Sequence, residues 1–323
     1  MRIVLIAAAM AASAAIAVAQ DPPTAVALVL PAPQVVAGGK EDITLGPADE
    51  GISLTLVGVK PEEPALAAGL DLLAKGLSKV ESKLTRAADP AGAMLTITRL
   101  DAPAFAKAVA AAAPKASLTK EQLDQGYVLA LASKEDKTTI TLQAQTPLGL
   151  YYGLCTLVQL ISRGEEGLAA PGATIADWPA IATRVVDPAS KPKGAVQVLP
   201  LLRLSPIAPS PQAPAARNSP KPELVVKDLS ATTADVTVDG EKRTVFDAAR
   251  LHKPAEGTPD AICVEGTVPA PAGAVWASLA DYCWNPSAYT PEASARRAQH
   301  FASVLEPLLN RAGGFKYELE MEK

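Results

Sequence analysis

Two histidines and three cysteines among 323 residues leave almost nothing from which to build a transition-metal centre. The cysteines, Cys155, Cys263 and Cys283, are odd in number and lack ligand spacing, and His252 and His300 complete no zinc pattern. No metal and no other cofactor is expected. A disulfide framework is excluded for the same reason. Cys263 with Cys283 is the one pairing worth testing, against the equal alternative of three isolated small apolar side chains. An excess of positive charge is missing too: 30 basic against 34 acidic residues give a net charge of -4 and no basic stripe, which argues against a nucleic-acid partner. After residue 20 no apolar run is long enough to span a bilayer.

What is present divides into four parts. Arg2, the apolar run Ile3 to Ile16 and Ala17-Val18-Ala19 before Gln20 read as a secretory signal peptide over residues 1–19. A secreted or periplasmic location is expected from it, with no membrane attachment after cleavage. With 49% apolar and 20% charged residues, the remainder has a globular composition. Residues 20–187 carry dense secondary-structure signals. Nine prolines crowd residues 188–222, which reads as a proline-rich linker. Residues 223–323 form a small C-terminal region.

In the first domain, residues 24–30 and 34–37 suggest an opening strand, and Ile52–Val57 alternates apolar and hydroxyl side chains like a strand. Leu66, Leu70, Leu73, Leu77, Val80 and Leu84 recur at helical spacing and predict an amphipathic helix over 62–84. A strand follows at 94–100, an Ala-rich helix at 102–113, and a hairpin from Tyr127 to Leu142 around a polar turn at 133–137. Thr146 and Pro147 make a cap and first helical position. The helix they open places Leu150, Leu154, Leu157 and Ile161 on one stripe, yet is apolar nearly all round, so it should be buried on most sides. In the C-terminal region Asp239-Gly240 between two short alternating runs predicts a hairpin. Thr290-Pro291 opens a terminal helix reaching about Glu306. The order implies an α+β fold with a mixed sheet covered by helices.

The segment QTPLGLYYGLCTLVQLI followed by ATIADWPAIATRVVD resembles the end of the domain that precedes the catalytic barrel in family 20 and family 84 glycoside hydrolases, the β-N-acetylhexosaminidases and O-GlcNAcase/hyaluronidase-like enzymes. A second segment, ADYCWNPSAYTPEASARRAQHF, is similar to the stretch that closes the family 84 barrel. That resemblance implies a substrate contact for Asn285, with Trp284 and Tyr289 shaping the adjacent surface, and an N-acetylglucosamine-containing glycan as ligand. Tyr151 and Tyr152 read as core or interface before sugar-stacking aromatics. Both ends of such an enzyme are recognisable, but under about a hundred residues separate Asp187 from Asp281, whereas a complete (β/α)8 barrel takes roughly 250.

The resemblance also implies a neighbouring acidic pair, one carboxylate orienting the substrate's acetamido group and one acting as general acid and base. The chain contains no Asp-Asp, and its one Asp-Glu, Asp49-Glu50, reads as a solvated turn. No catalytic residue is therefore assigned. Two functions remain: a secreted, noncatalytic remnant or carbohydrate-associated accessory module, or an active glycosidase whose shortened middle pairs other carboxylates, for example Asp281 and Glu265.

Overall fold

Alternation along Ile52–Val57 (β2) buries Ile52 and Leu54 and leaves Ser53 and Thr55 on the other face, and the same pattern repeats on its neighbours. In the computed structural model, which describes residues 24–135, 137–186, 200–206, 224–226, 229–250, 261–264, 272–305 and 308, these strands build one mixed sheet. Its members are β1 (Val35–Gly46), β2, β3 (Leu84–Arg86), β4 (Leu95–Arg99), β5 (Tyr127–Lys134), β6 (Lys137–Ala144), β7 (Ser162–Gly164) and β8 (Gly167–Asp177). The order is β1-β8-β5-β6-β4-β2-β3, with β7 paired to β8. The β3, β2, β4 and β6 half is parallel and the β6, β5, β8 and β1 half antiparallel.

One face of the sheet is covered by α1 (Pro64–Lys79) and α4 (Pro147–Leu160). Leu66, Leu72, Leu73 and Leu77 of α1 meet Leu150, Leu154, Leu157 and Val158 of α4 in one core. The helices approach closely because Gly69 faces Leu154: a Cβ there would lie 2.6 Å from Leu154 Cδ1. On the opposite face α2 (Ala102–Ala112) and α3 (Lys120–Gln125) cover the β5–β8 end through Phe105, Val109, Val128 and Trp178. Thr146 caps α4 through the Gly149 N–H at 3.1 Å, and every residue from Gly149 to Leu160 is buried, as an all-round apolar helix requires.

After β8 the chain enters a second sheet of four parallel strands, β9 (Thr183–Val186), β10 (Ser205–Pro206), β11 (Leu224–Val226) and β14 (Ala261–Val264), in the order β10-β9-β14-β11. Between β11 and β14 lies the hairpin β12 (Thr233–Val238) and β13 (Glu241–Phe246), whose turn residues Asp239 and Gly240 have φ of 51° and 81°. That is the backbone an Asp-Gly turn favours. Two helices close the described chain, α5 (Ala272–Trp284) and α6 (Pro291–Val304). Thr290 caps α6 through the Ala293 N–H. No closed barrel forms among the described residues.

Several expectations need correction. Residues 25–28 are a 3-10 turn rather than a strand, and β1 runs on through Gly38-Gly39 to Gly46 with register shifts against β8. The first helix stops at Lys79, where Glu81 takes a φ of 57°, so Leu84 belongs to β3. Strand β8, an interior strand next to the edge strand β1, was hidden by its Gly, Ala and Pro content. Pro171 is tolerated there beside the register shift opposite Asp42. Within the stretch read as a proline-rich linker, Leu201, Leu202, Arg203 and Leu204 are buried core. The signal segment and residues 188–199 and 207–222 lie outside the described residues.

Candidate functional site

The fold brings its most elaborate polar chemistry to the junction between the end of β8 and the end of α5. Asp177, the last residue of β8, is 1% exposed and accepts five hydrogen bonds. Its Oδ1 receives the Trp284 Nε1–H at 2.7 Å and the backbone N–H groups of Gln34 and Trp178 at 3.0 Å. Its Oδ2 receives the Tyr127 hydroxyl at 2.7 Å and Arg203 Nη1 at 2.8 Å. Removing a carboxylate from water costs several kcal/mol unless its lone pairs are re-satisfied and its charge is paired, and here both conditions are met.

Arg203 completes the arrangement. Its Nη2 donates to Thr156 Oγ1 at 2.6 Å and to the Tyr127 oxygen at 3.3 Å. Its Cζ lies 4.1 Å from the Trp284 ring centroid and 5.5 Å from those of Tyr127 and Tyr152. Tyr152 meets Trp284 edge to face at 5.4 Å. Burial pushes the Tyr127 hydroxyl above the usual tyrosine range, the Arg203 charge partly offsetting this. A second arginine, Arg184 of β9, stacks 5.0 Å from the Trp284 centroid. It is held by the carbonyls of Ile181, Ala182 and Arg203 and by Gln125 Oε1, and burial lowers its pKa.

A second buried pair sits one helical turn away. Asp281 accepts from Arg297 Nε at 2.9 Å and Nη2 at 2.6 Å, and from the Ala32 N–H at 2.8 Å. Burial raises the Asp281 carboxyl above the ordinary range, with Arg297 opposing it. The N-terminal segment is clamped from the other side by Gln159, which exchanges two 2.9 Å bonds with the backbone of Leu30. The exit from β8 in turn satisfies the end of α5: the N–H groups of Ala180 and Ile181 donate to the carbonyls of Trp284 and Cys283.

Of the residues named from the sequence, Trp284 and Asn285 fall within this junction and the acidic pair Asp49-Glu50 does not. Trp284 is fully buried in it. Asn285 is 4% exposed, with Nδ2 donating to the Pro33 carbonyl at 2.7 Å and Oδ1 accepting from the Ala288 N–H at 3.3 Å. Tyr289 packs against Phe246 and Tyr282, and its hydroxyl donates to the Phe246 carbonyl. Tyr151 and Tyr152 are core. Asp49 and Glu50 are exposed in a turn, and Glu265 and His252 lie outside the described residues. Cys155 and Cys283 are free, buried thiols, both pushed up to about 12 by burial. The Cys263–Cys283 bridge is thus not formed. Among the described residues no His, Cys, Asp and Glu cluster could hold a metal ion.

Sequence reasoning missed Arg203, Arg184, Arg297, Thr156 and Gln159. A signal existed for three of them. Thr156 and Gln159 interrupt an otherwise apolar helix, and Arg203 is the one charge in Leu-Leu-Arg-Leu.

The comparisons with known proteins follow the same division. Residues 27–178 match the family model for glycosyl hydrolase family 20, domain 2. A chitobiase from Flavobacterium johnsoniae is 20% identical with a TM-score of 0.38, over 55% of this chain and 26% of its own. An N-acetyl-β-hexosaminidase from Streptomyces plicatus is 21% identical with a TM-score of 0.36, over 57% of this chain and 33% of its own. A family 20 exo-β-N-acetylglucosaminidase from Vibrio harveyi, solved with N-acetylglucosamine, is 19% identical with a TM-score of 0.36, over 56% and 24%. The chain thus spans a third or less of the length of these proteins. No curated protein matches it. The α+β unit that ends at Asp177-Trp178, residues 27–178, is similar to domain 2 of glycosyl hydrolase family 20.

Proposed function

We propose that this chain is an exported, noncatalytic relative of the β-N-acetylhexosaminidases, in which the family 20 domain serves as a packing platform for a carbohydrate-associated accessory protein. One observation carries the noncatalytic part: the buried acids among the described residues are each committed within the protein, Asp177 to Arg203 and the N–H groups of Gln34 and Trp178, and Asp281 to Arg297 and the Ala32 N–H. A general acid has to deliver its proton to substrate, and a carboxylate whose oxygens are already filled from within the protein has no lone pair facing one. Asn285, which would contact substrate by resemblance, has both ends of its amide turned to its own backbone. The glycan ligand rests on the family kinship alone. The exported location rests on the leader-like residues 1–19.

Purified residues 20–323 should leave a chromogenic β-N-acetylglucosaminide unhydrolysed above a buffer blank. Turnover that survives stringent purification and is lost when a single carboxylate is replaced overturns the noncatalytic reading in favour of an active glycosidase. Calorimetric titration with a chitooligosaccharide tests the ligand, and absence of heat removes the carbohydrate role while leaving the first conclusion standing. Export is tested by the mass of the chain recovered from the producing cell, which should begin at Gln20. Recovery with Met1 retained overturns it.

A further inference from the structure

The groups around the Arg203 guanidinium have the composition of a cation receptor: three aromatic rings, one carboxylate and two hydroxyls. Aromatic faces attract a cation through the ring quadrupole, most strongly where water is excluded, and a carboxylate facing the guanidinium fixes its plane. These groups come from β5, α4, β8 and α5, while the guanidinium comes from residues 200–204, a separate turn ahead of β10.

The receptor groups are also bonded to one another, through contacts that do not involve the guanidinium. Tyr127 bonds to Thr156 Oγ1 at 2.6 Å and to Asp177 Oδ2 at 2.7 Å, Trp284 to Asp177 Oδ1 at 2.7 Å, and Tyr152 packs edge to face on Trp284. The Asp177 carboxylate is further anchored by the N–H groups of Gln34 and Trp178. Preorganisation of this kind is what lets a site bind a small ligand without first spending interaction energy on ordering itself.

The occupant, by contrast, is held under constraint. Arg203 has a φ of 59°, in the left-handed region that long side chains rarely adopt, and its buried Nε has no hydrogen-bond partner. The engaged donors are the two terminal nitrogens, the part that any alkylguanidinium carries.

We propose that Tyr127, Tyr152, Trp284, Asp177 and Thr156 form a guanidinium-binding site that the chain fills with its own Arg203. Residues 200–204 are then an arginine-bearing peptide docked in cis, and an arginine side chain or another alkylguanidinium is the ligand class the empty site takes.

The test uses the full chain with Arg203→Ala, which removes the guanidinium and leaves the receptor groups. The variant should melt several degrees below the parent, and millimolar ethylguanidinium should restore most of that loss while leaving the parent unmoved. Ethylammonium, which has charge without the planar fork, and urea, which has the fork without charge, should not restore it. The Asp177→Asn, Arg203→Ala double variant should not respond to ethylguanidinium. Absence of restoration in the single variant, an equal response in the parent or to ethylammonium, or a response that persists in the double variant each overturns the proposal. Should Arg203→Ala fail to fold, its refolding yield with and without ethylguanidinium is the readout: recovery only with the probe supports the site, and no recovery overturns it.

Discussion

Trp284 and Asp177, 107 residues apart, are joined by a 2.7 Å hydrogen bond from the indole Nε1–H to the carboxylate Oδ1, with both side chains buried. That bond ties the last residue of α5 to the last residue of β8. It makes residues 24–186 and the C-terminal helices one core rather than two.

The first expectation concerns that bond. Trp284→Phe keeps a ring over Arg203 and removes the donor. Hydrogen bonds to charged groups contribute about 1.5–3 kcal/mol, so the variant should lose about that much stability in a denaturant titration. An unchanged midpoint would show that the bond is not part of what holds the two segments together.

Truncation should be worse than the helix stripes alone suggest. A fragment of residues 38–187 retains Asp177 but loses Arg203, Trp284 and the Gln34 N–H. Breaking a buried ion pair by removing one partner costs about 3–5 kcal/mol. The isolated fragment should therefore melt with little cooperativity, whereas a chain running from residue 24 through residue 308 should melt in one transition. A cooperative melt of the short fragment would place the domain boundary near residue 187 after all.

Close packing of α4 on the sheet makes a third prediction. A Cβ added at Gly153 would lie 2.2 Å from Leu142 Cδ1. Gly153→Ala gains helix propensity, yet overpacking of this kind costs about 1–3 kcal/mol against roughly 1 kcal/mol of propensity gained. The expected sum is neutral to destabilising by about 2 kcal/mol, measurable by urea unfolding. A clear rise in stability would mean that Leu142 has room to turn away.

The alkaline side of the stability curve follows from burial. Cys155, Cys283 and Tyr282 are each pushed to about 12, and Tyr127, Tyr152 and Tyr289 are raised as well. Their unfolded values are roughly 8.5 for Cys and 10 for Tyr. With folded values above unfolded ones, the unfolded chain releases protons first, so the stability these groups confer is complete below about pH 8.5 and falls as pH rises toward 12. Tyrosinate absorbance should then appear together with loss of the circular dichroism signal, in one step. Ionisation of most tyrosines while the fold persists would contradict it. By the same burial, neither Cys155 nor Cys283 should react with a thiol reagent at neutral pH before unfolding.

Local chemistry is legible wherever a residue acts on its own neighbours. Thr146-Pro147 and Thr290-Pro291 announce helix starts through a side-chain oxygen three residues from the N–H it caps. Asp239-Gly240 announces a hairpin because its two positive φ angles suit those residues. The periodicity of Leu66 to Leu77 and the alternation in Tyr127–Lys134 give a helix and a strand directly, and the α+β class follows from their order. What a residue does at long range carries no such mark. Nothing beside Asp177 in the sequence marks it as buried until β8 is placed between β1 and β5. Arg203, in a proline-rich stretch, becomes core only because a buried carboxylate, two tyrosines and a tryptophan from four other elements surround it. Strand β8 itself, poor in β-formers, is a strand because β1 and β5 pair with it on both sides. Propensity acts over a few residues and is set by sequence, whereas the worth of a charge depends on what lies within a few ångströms of it. For this chain only the tertiary structure supplies that.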